Sequence, residues 1–267
     1  MLNYQSEEFK SLEELREIAP SIFTKKGSSN TSDKYSHIPT DTVIKDLELL
    51  GWNVVDAKEV KARKQIGYQK HLVVFRNNDV VINGKDGDTV YPQILLTNSH
   101  DGKNSFSFQA GLFRMICENG LVIATKQFEA MKIRHMGYDF ETLQNVIKNM
   151  ISNLDLTVES MNKMKETELN EEQTIEFAKQ LLQTRVAGSK NTFDGIAIED
   201  VLTPQRKEDK GNGLWEVFNR VQENIVEGNF QYLTPSGKLR QARPIKNFRQ
   251  DMNINARMYE QALTFAA

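Results

Sequence analysis

The first regular pattern of apolar positions lies in HIPTDTVIKDLELLGW, residues 37–52. Its apolar residues recur at helical spacing and fall on one face: Val43, Ile44, Leu47 and Leu50. Thr40 is placed to cap this helix, and Gly51 is placed to end it. The pattern therefore predicts an amphipathic helix at the start of the folded domain.

A β-rich stretch with a turn signal follows in KHLVVFRNNDVVI, residues 70–82. The Asn-Asn pair at 77–78 separates two apolar runs, and asparagine tolerates the positive φ of a tight turn. We therefore predict a hairpin in which Phe75 pairs with Val80.

A stronger turn signal, the Asp-Gly pair at 101–102, divides YPQILLTNSHDGKNSFSFQ, residues 91–109. Phe106 and Phe108 alternate with serines, as on a strand with one buried face. A two-residue turn places Thr97 opposite Phe106 and Leu95 opposite Phe108, which makes that face apolar. Together the two hairpins predict an antiparallel meander.

Polar residues gather on the other face of this second hairpin. Asn98 and His100 share that face with Ser105, and Asp101 and Arg114 are close enough in sequence to join a polar site. A ligand surface is one interpretation. The alternative is a solvated face, since antiparallel sheets commonly leave one face in water.

Ser99, His100 and Asp101 are the residue types of a hydrolase triad, but their spacing argues against one. Neighbouring side chains on a strand point to opposite faces, whereas a nucleophile and its base must lie within hydrogen-bond reach. No G-x-S-x-G turn surrounds Ser99. We therefore predict no catalytic residues here.

Downstream of the sheet, most of the chain has helical periodicity. GLFRMICENG, residues 111–120, predicts a short helix that ends at Gly120 and leads into a strand at 121–124. A helical stripe follows in Phe140, Leu143, Val146, Ile147, Met150, Ile151 and Leu154. Asn170 and Gln173 form a capping-box pattern, and a third helix ends at Gly228.

These elements define an α+β fold, with an antiparallel β-meander of about four strands followed by a mostly helical C-terminal half. KKGSSNTSDK lacks apolar spacing, so residues 1–34 are predicted to form a flexible N-terminal arm, which could equally be a tail without function. Residues 35–135 would form the sheet core with flanking helices. Residues 136–267 would form a helical half packed on that core in the same domain.

Composition narrows the classes of protein that fit. The 34 basic and 36 acidic residues nearly balance, so nucleic-acid binding requires local clustering of charge. Cys117 is the chain's one cysteine, which excludes an intrachain disulfide and suits a reducing compartment. We find no long apolar run and no signal-peptide pattern, so we expect a cytoplasmic protein without membrane contact.

Histidine and cofactor patterns supply no further site. All four histidines lie between residues 37 and 135: His37, His71, His100 and His135. Because no ligand motif such as HExxH accompanies them, we interpret them as polar-network or surface residues and predict neither a metal nor a cofactor.

Local charge is more informative about function. Six basic residues stand against two acidic ones between Asp56 and Arg76. The predicted nucleic-acid contacts are the basic residues and one tyrosine of this run: Lys58, Lys61, Arg63, Lys64, Tyr68, Lys70 and Arg76. Cations follow phosphates while rings stack on bases, as a single-strand groove requires. The alternative is a solvated edge strand protected by lysines.

A second basic cluster lies in KLRQARPIKNFRQ, residues 238–250. Its members are Lys238, Arg240, Arg243, Lys246 and Arg249. The simplest interpretation is a charged loop before the last helix.

Four blocks carry a family resemblance: SDKYSHIPTDTVIKDLELLGW, GYQKHLVVFRN, LLTNSHDGKNSFSFQAGLFRMICENGL and LWEVFNRVQENIVEG. They resemble the DUF932 family, a phage- and plasmid-associated family of unknown function, from about Lys34 to the C-terminus. Glu118 departs from the small polar residue expected there. The resemblance implies a mobile-element origin and no particular reaction. The order of helix, basic meander and helix is also similar to Rad52-type annealing proteins, which is a fold-level analogy.

These observations lead to a functional hypothesis with two alternatives. The first is a phage or plasmid protein that binds single-stranded DNA, with strand annealing as a homo-oligomer as its further form. The second is an interaction protein that binds a host protein and counters a host defence. The third is an enzyme acting on nucleotides or nucleic acid, with Asn98, His100, Asp101 and Arg114 converging in a pocket.

Overall fold

The fold is α+β, with an antiparallel sheet in the N-terminal half and a mostly helical C-terminal half, as predicted. A computed structural model describes residues 9–33, 35–62, 66–83, 89–104, 106–114, 120–123, 131–133, 139–152, 154–186, 190–193 and 197–266. The chain forms two compact units that divide between Leu154 and Asp155. No helix in these residues combines the length and apolar character that crossing a membrane requires.

The N-terminal unit is built on one antiparallel sheet. Its strands in the described ranges are β1 (Asn53–Glu59), β2 (His71–Arg76), β3 (Ile82–Asn83), β4 (Thr89–Asn98), β5 (Phe106–Arg114), β6 (Gly120–Ile123) and β7 (Met131–Ile133). They lie in the order β1-β2-β4-β5-β6, with β3 beside β4 and β7 beside β5. All six residues of β2 are buried, because it lies inside the sheet.

Helices supply the rest of the N-terminal core. They are α1 (Leu12–Ile18), a 3₁₀ helix (Pro20–Phe23), α2 (Thr40–Leu49) and α3 (Phe140–Ser152). Leu143 and Ile147 of α3 pack in the same apolar cluster as the sheet. The predicted boundary at 135/136 therefore differs from the division between the units, which follows α3.

The predicted pairing of Phe75 with Val80 is wrong. Asn77 does begin a turn, since its carbonyl accepts the N–H of Val80 at 3.2 Å. Phe75 instead pairs with Ile94 of β4, and β3 pairs with the start of β4. A fully buried strand needs a long apolar partner, and β4 offers one that the residues directly after the turn do not.

The second hairpin exists with a different register. Phe106 and Phe108 are buried as predicted, but Leu96 lies opposite Phe108, and Thr97 lies opposite Ser107 rather than Phe106. The connection is longer than two residues because Asp101 organises it. Its Oδ1 accepts the Ser99 hydroxyl at 2.7 Å and the Lys103 N–H at 3.0 Å.

The helix predicted for residues 111–120 is contradicted at its first four positions, where the chain continues β5 to Arg114. The strand predicted at 121–124 is present as β6. Residues 115–119, with Cys117, lie outside the described residues. The glycine and apolar residues of GLF fit a strand here because they pair with β6 along its length.

The segment predicted as a flexible arm is packed against the sheet where it is described. We call residues 9–33 and 35–39 the strap. Leu15, Ala19 and Ile22 are fully buried in the core, and the Lys10 N–H donates to the Val54 carbonyl on edge strand β1. The expectation of a loose arm is therefore corrected, since the apolar residues before the Ser/Asn-rich stretch anchor it.

The C-terminal unit contains α4 (Leu154–Glu166), α5 (Glu171–Val186), α6 (Ala197–Leu202), α7 (Leu214–Glu227), β8 (Gln231–Leu233), β9 (Leu239–Gln241) and α8 (Phe248–Phe265). The predicted capping box at Asn170 and Gln173 is present, with reciprocal bonds of 3.0 and 2.9 Å. Helix α7 contacts α5, α6 and α8 and is buried on nearly every side.

Buried polar groups on α7 hold the loop that follows α6. Asn224 donates to the Val201 and Thr203 carbonyls at 3.0 and 2.8 Å. Arg220 donates to the Asp209 and Gly211 carbonyls at 3.1 and 3.0 Å. Because buried polar groups are costly without partners, these bonds fix the loop on the helix.

The second basic cluster was predicted to be a loop, and the structure corrects this. Strands β8 and β9 pair antiparallel, with Tyr232 opposite Arg240, and Gly237 lies in the turn with φ +72°. At the end of β8 next to the turn, Thr192 and Leu233 exchange two backbone hydrogen bonds of 2.9 Å each.

Two glycines of this region give a matched test of packing. Both have left-handed φ, but a Cβ on Gly228 would lie 2.7 Å from the Arg243 carbonyl carbon, whereas Gly237 has open space. Gly237→Ala should cost about 1 kcal/mol from backbone strain. Gly228→Ala should cost at least about 1 kcal/mol more, because backbone atoms must shift. Urea unfolding of both variants checks the difference, and equal costs would contradict the close approach.

Candidate nucleic-acid interface at the loop end of the sheet

Three segments meet at one end of the sheet, which we call the loop end. They are the strap, the β1–β2 loop (residues 60–70) and the β4–β5 loop (residues 99–105). The His100 N–H donates to the Tyr68 carbonyl at 3.0 Å, and the Ser28 N–H donates to the His100 carbonyl at 2.8 Å. The Thr24 hydroxyl also donates to the Gly67 carbonyl.

Beneath these loops, His71 is the centre of a buried hydrogen-bond network. Its Nδ1 lies 2.8 Å from Ser21 Oγ in the strap and 3.3 Å from the Gln69 carbonyl oxygen. Its Nε2 lies 2.9 Å from Thr40 Oγ1. Thr40 was predicted to cap α2, but its hydroxyl bonds His71, and Pro39 occupies the cap position without a side-chain bond.

Asn98 sets the direction of the bonds in this network. Its amide donates to Thr40 Oγ1 at 2.9 Å and to the Ile38 carbonyl at 3.1 Å. The Thr40 hydroxyl hydrogen is therefore available to His71 Nε2, and Nδ1 carries the ring proton beside the Gln69 carbonyl. This tautomer joins strap, helix and two strands through one neutral imidazole.

Burial keeps His71 uncharged. Desolvation lowers its pKa to about 4. The His100 ring centroid lies 5.3 Å from that of His71 and 4.5 Å from that of His37, so His37 of the strap packs on His100, which packs on His71. No group of residues able to hold a metal ion is found in the part of the chain that the structure describes.

The predicted polar face is therefore not solvated. Asn98 and His100 are fully buried, because the strap covers the strand end that was expected to face water. Ser105 lies outside the described residues, and Arg114 ends β5 with its side chain undescribed. Ser99 donates to Asp101, which agrees with the argument against a triad.

A different serine and histidine, Ser21 and His71, are in hydrogen-bond contact. Both are fully buried, and the Ser21 N–H also donates to Glu59 Oε2 at 2.8 Å. A nucleophile needs access to a substrate, and this pair has none. We therefore assign the pair to holding the strap on the sheet.

The predicted nucleic-acid contacts separate by exposure. Lys61 is exposed, whereas Lys58, Tyr68 and Lys70 are half-buried. Arg76 is buried at 4 % exposure, and its guanidinium lies 5.1 Å from the Tyr91 ring centroid. Its burial contradicts the predicted phosphate contact. Arg63 and Lys64 lie outside the described residues.

The fold adds cations that the sequence analysis missed. Lys26 follows the Thr24 contact with the β1–β2 loop, and Lys103 lies in the β4–β5 loop; both are exposed. Lys25 is largely exposed but pairs with Asp41. The sequence signal that would have predicted an ordered strap is the capping box of Ser11 and Glu14, which starts α1.

The second basic cluster lies in the other unit. Lys238, Arg240, Arg243 and Lys246 are all exposed. Arg249 lies in the first turn of α8, and its side chain is undescribed.

Together the fold and the loop end define an α+β protein with a strap-covered sheet. The chain belongs to the family described as "Domain of unknown function (DUF932)", whose profile matches residues 28–259. It is similar to two Escherichia coli (strain K12) proteins, UPF0380 protein YafZ and UPF0380 protein YfjQ. Each is 27 % identical over 94 % of this chain, covering 89 % and 90 % of the relatives respectively. No solved structure matches the chain.

Proposed function

We propose that this protein binds single-stranded DNA through the loop end, in the cytoplasm of a bacterium that carries a phage or plasmid. The observation that carries the proposal is the placement of exposed Lys26, Lys61 and Lys103 on the three segments that meet around Tyr68. The sequence adds Arg63 and Lys64 to the same loop.

The chemistry of a single strand fits this surface. Lysines neutralise phosphates and release counterions, and a half-buried ring such as Tyr68 presents a face on which a base stacks. The buried His71 network joins the strap, the end of the β1–β2 loop and the end of β4, so the backbone that carries the cations and the ring is anchored. Binding and annealing need no covalent chemistry, which suits a network closed to substrates.

Two substitutions should separate charge from stacking. Lys61→Ala should lower the slope of log affinity against log salt by roughly 0.7, because one phosphate contact is lost. Tyr68→Leu should keep that slope and weaken binding by about 1–3 kcal/mol, since a stacked ring releases no counterion. Fluorescence anisotropy with labelled oligothymidylate at several salt concentrations measures both quantities.

Lys148→Ala is the matched control, because Lys148 is an exposed lysine on α3 of the same unit. Lys148→Ala should change neither the salt slope nor the affinity for the single strand. If Lys61→Ala and Lys148→Ala have the same salt slope as the wild type, the loop end is not the interface.

A host-protein interaction is the competing function. Ile66, in the β1–β2 loop, is 75 % exposed and would be an apolar contact for a partner protein that binds this loop. Under that alternative, Ile66→Ser would abolish capture of the partner and leave single-strand affinity unchanged.

A further inference from the structure

The hairpin of β8 and β9 is a second surface with strong positive charge. Between Gly228 and Gln250 the chain has five basic residues and no acidic one. All four basic side chains that the structure describes there are exposed: Lys238, Arg240, Arg243 and Lys246. We call residues 231–246 the basic hairpin.

The two strands put charge and an aromatic ring on one face. Arg240 lies directly opposite Tyr232, and side chains two residues apart on a strand share a face, so Lys238 joins them. Tyr232 stacks on Phe193, with ring centroids 5.6 Å apart and planes at 26°. The ring is therefore held in place beside two cations.

The basic hairpin is held at both ends of its strands and is open at Gly237 in the turn. Next to the turn, Thr192 and Leu233 exchange paired backbone bonds, and at the base Gly228 closely approaches Arg243. At the tip, nothing lies within 4 Å of a Cβ position on Gly237. At the base of the hairpin, the Asp200 carboxylate accepts the Gln231 N–H at 2.9 Å.

Charge alone would suit either an acidic protein or a nucleic acid. An aromatic ring on the same face as the cations favours a strand with bases, because cations track the phosphates while the ring stacks. Residues 228–250 contribute no carboxylate of their own, which lowers the repulsion that a phosphate backbone would meet there.

We propose that the basic hairpin is a second single-strand site, so that one chain holds two strands, one in each unit. For the first strand this rests on the proposed function of the loop end. A protein that holds two strands raises the concentration of each near the other, which promotes pairing of complementary strands.

The test counts strands per chain with short oligothymidylate under stoichiometric conditions. Wild type should saturate at two strands, and Lys238→Ala/Arg240→Ala at one. The double variant should also slow the pairing of complementary labelled strands. Tyr232→Leu should weaken hairpin binding about five- to hundredfold without changing its salt slope. Trp215 fluorescence verifies that the C-terminal unit stays folded, and Lys163→Ala is the exposed-lysine control.

The other outcomes contradict either the loop end or the basic hairpin as a single-strand site. If the wild type binds one strand per chain and Tyr68→Leu loses that strand, the loop end is the binding site and the hairpin proposal is wrong. If that one strand is lost on Lys238→Ala/Arg240→Ala, the hairpin stands and the loop end fails. If polyglutamate displaces the strand from the hairpin and Tyr232→Leu has no effect, the hairpin fits an acidic protein instead.

Discussion

Ile22→Ala should lower the free energy of unfolding of the N-terminal unit by about 2–5 kcal/mol. Ile22 is fully buried in the strap, in the same core as the sheet, so truncation leaves a cavity between them. Trp52 is buried in this core and Trp215 in the other unit. Trp52 fluorescence in a Trp215→Phe background therefore reports unfolding of the N-terminal unit by urea.

Ile18→Ala is the matched control for this cavity. Ile18 belongs to the same strap but is 41 % exposed, so its truncation should cost less than about 1 kcal/mol. Equal, small costs for both variants would mean that the strap is a loose arm, and the account of the loop end would fail with it.

Acid should destabilise the N-terminal unit through His71. Its folded-state pKa of about 4 lies below the ordinary value of 6.5, so the unfolded chain binds more protons between these values. The stabilisation is complete above about pH 6.5 and is lost as the pH falls toward 4. Its upper limit is about 3 kcal/mol, from 1.36 kcal/mol per pKa unit.

Urea unfolding followed by Trp52 fluorescence at about pH 7.5, 6 and 5 measures this dependence of the unfolding free energy on pH. His71→Gln should be less stable at neutral pH and should show a shallower loss on acidification. His100 packs beside His71, and His37 packs beside His100, so the variant keeps the rest of this cluster. An unchanged slope in His71→Gln would contradict a buried neutral histidine at this position.

Local signals in the sequence predicted many helices well. The helical stripe from Phe140, the capping box at Asn170 and the glycine after α7 each act within a few residues of the chain. Such signals need no knowledge of the rest of the fold, and these three elements are present. The helix predicted for residues 111–120 also rested on a local signal, but pairing with β6 places its first four residues in β5.

Strand pairing and burial were predicted less well, because they depend on distant residues. Phe75 pairs with Ile94 rather than with the residues after its own turn, and Asn98 is buried by a strap about 60 positions earlier in the chain. The local pattern of charged and polar residues does not show which side chains a segment distant in sequence will bury. For the same reason Arg76 was predicted to bind phosphate although it is buried.

A titration of the wild-type protein decides whether it binds single-stranded DNA. Fluorescence anisotropy should be measured with labelled oligothymidylate and with a duplex of equal length, at micromolar protein and rising sodium chloride. We expect tighter binding of the single strand than of the duplex, with the logarithm of the affinity falling linearly as the logarithm of the salt concentration rises. No salt-dependent binding of the single strand, or an equal preference for the duplex, would contradict it.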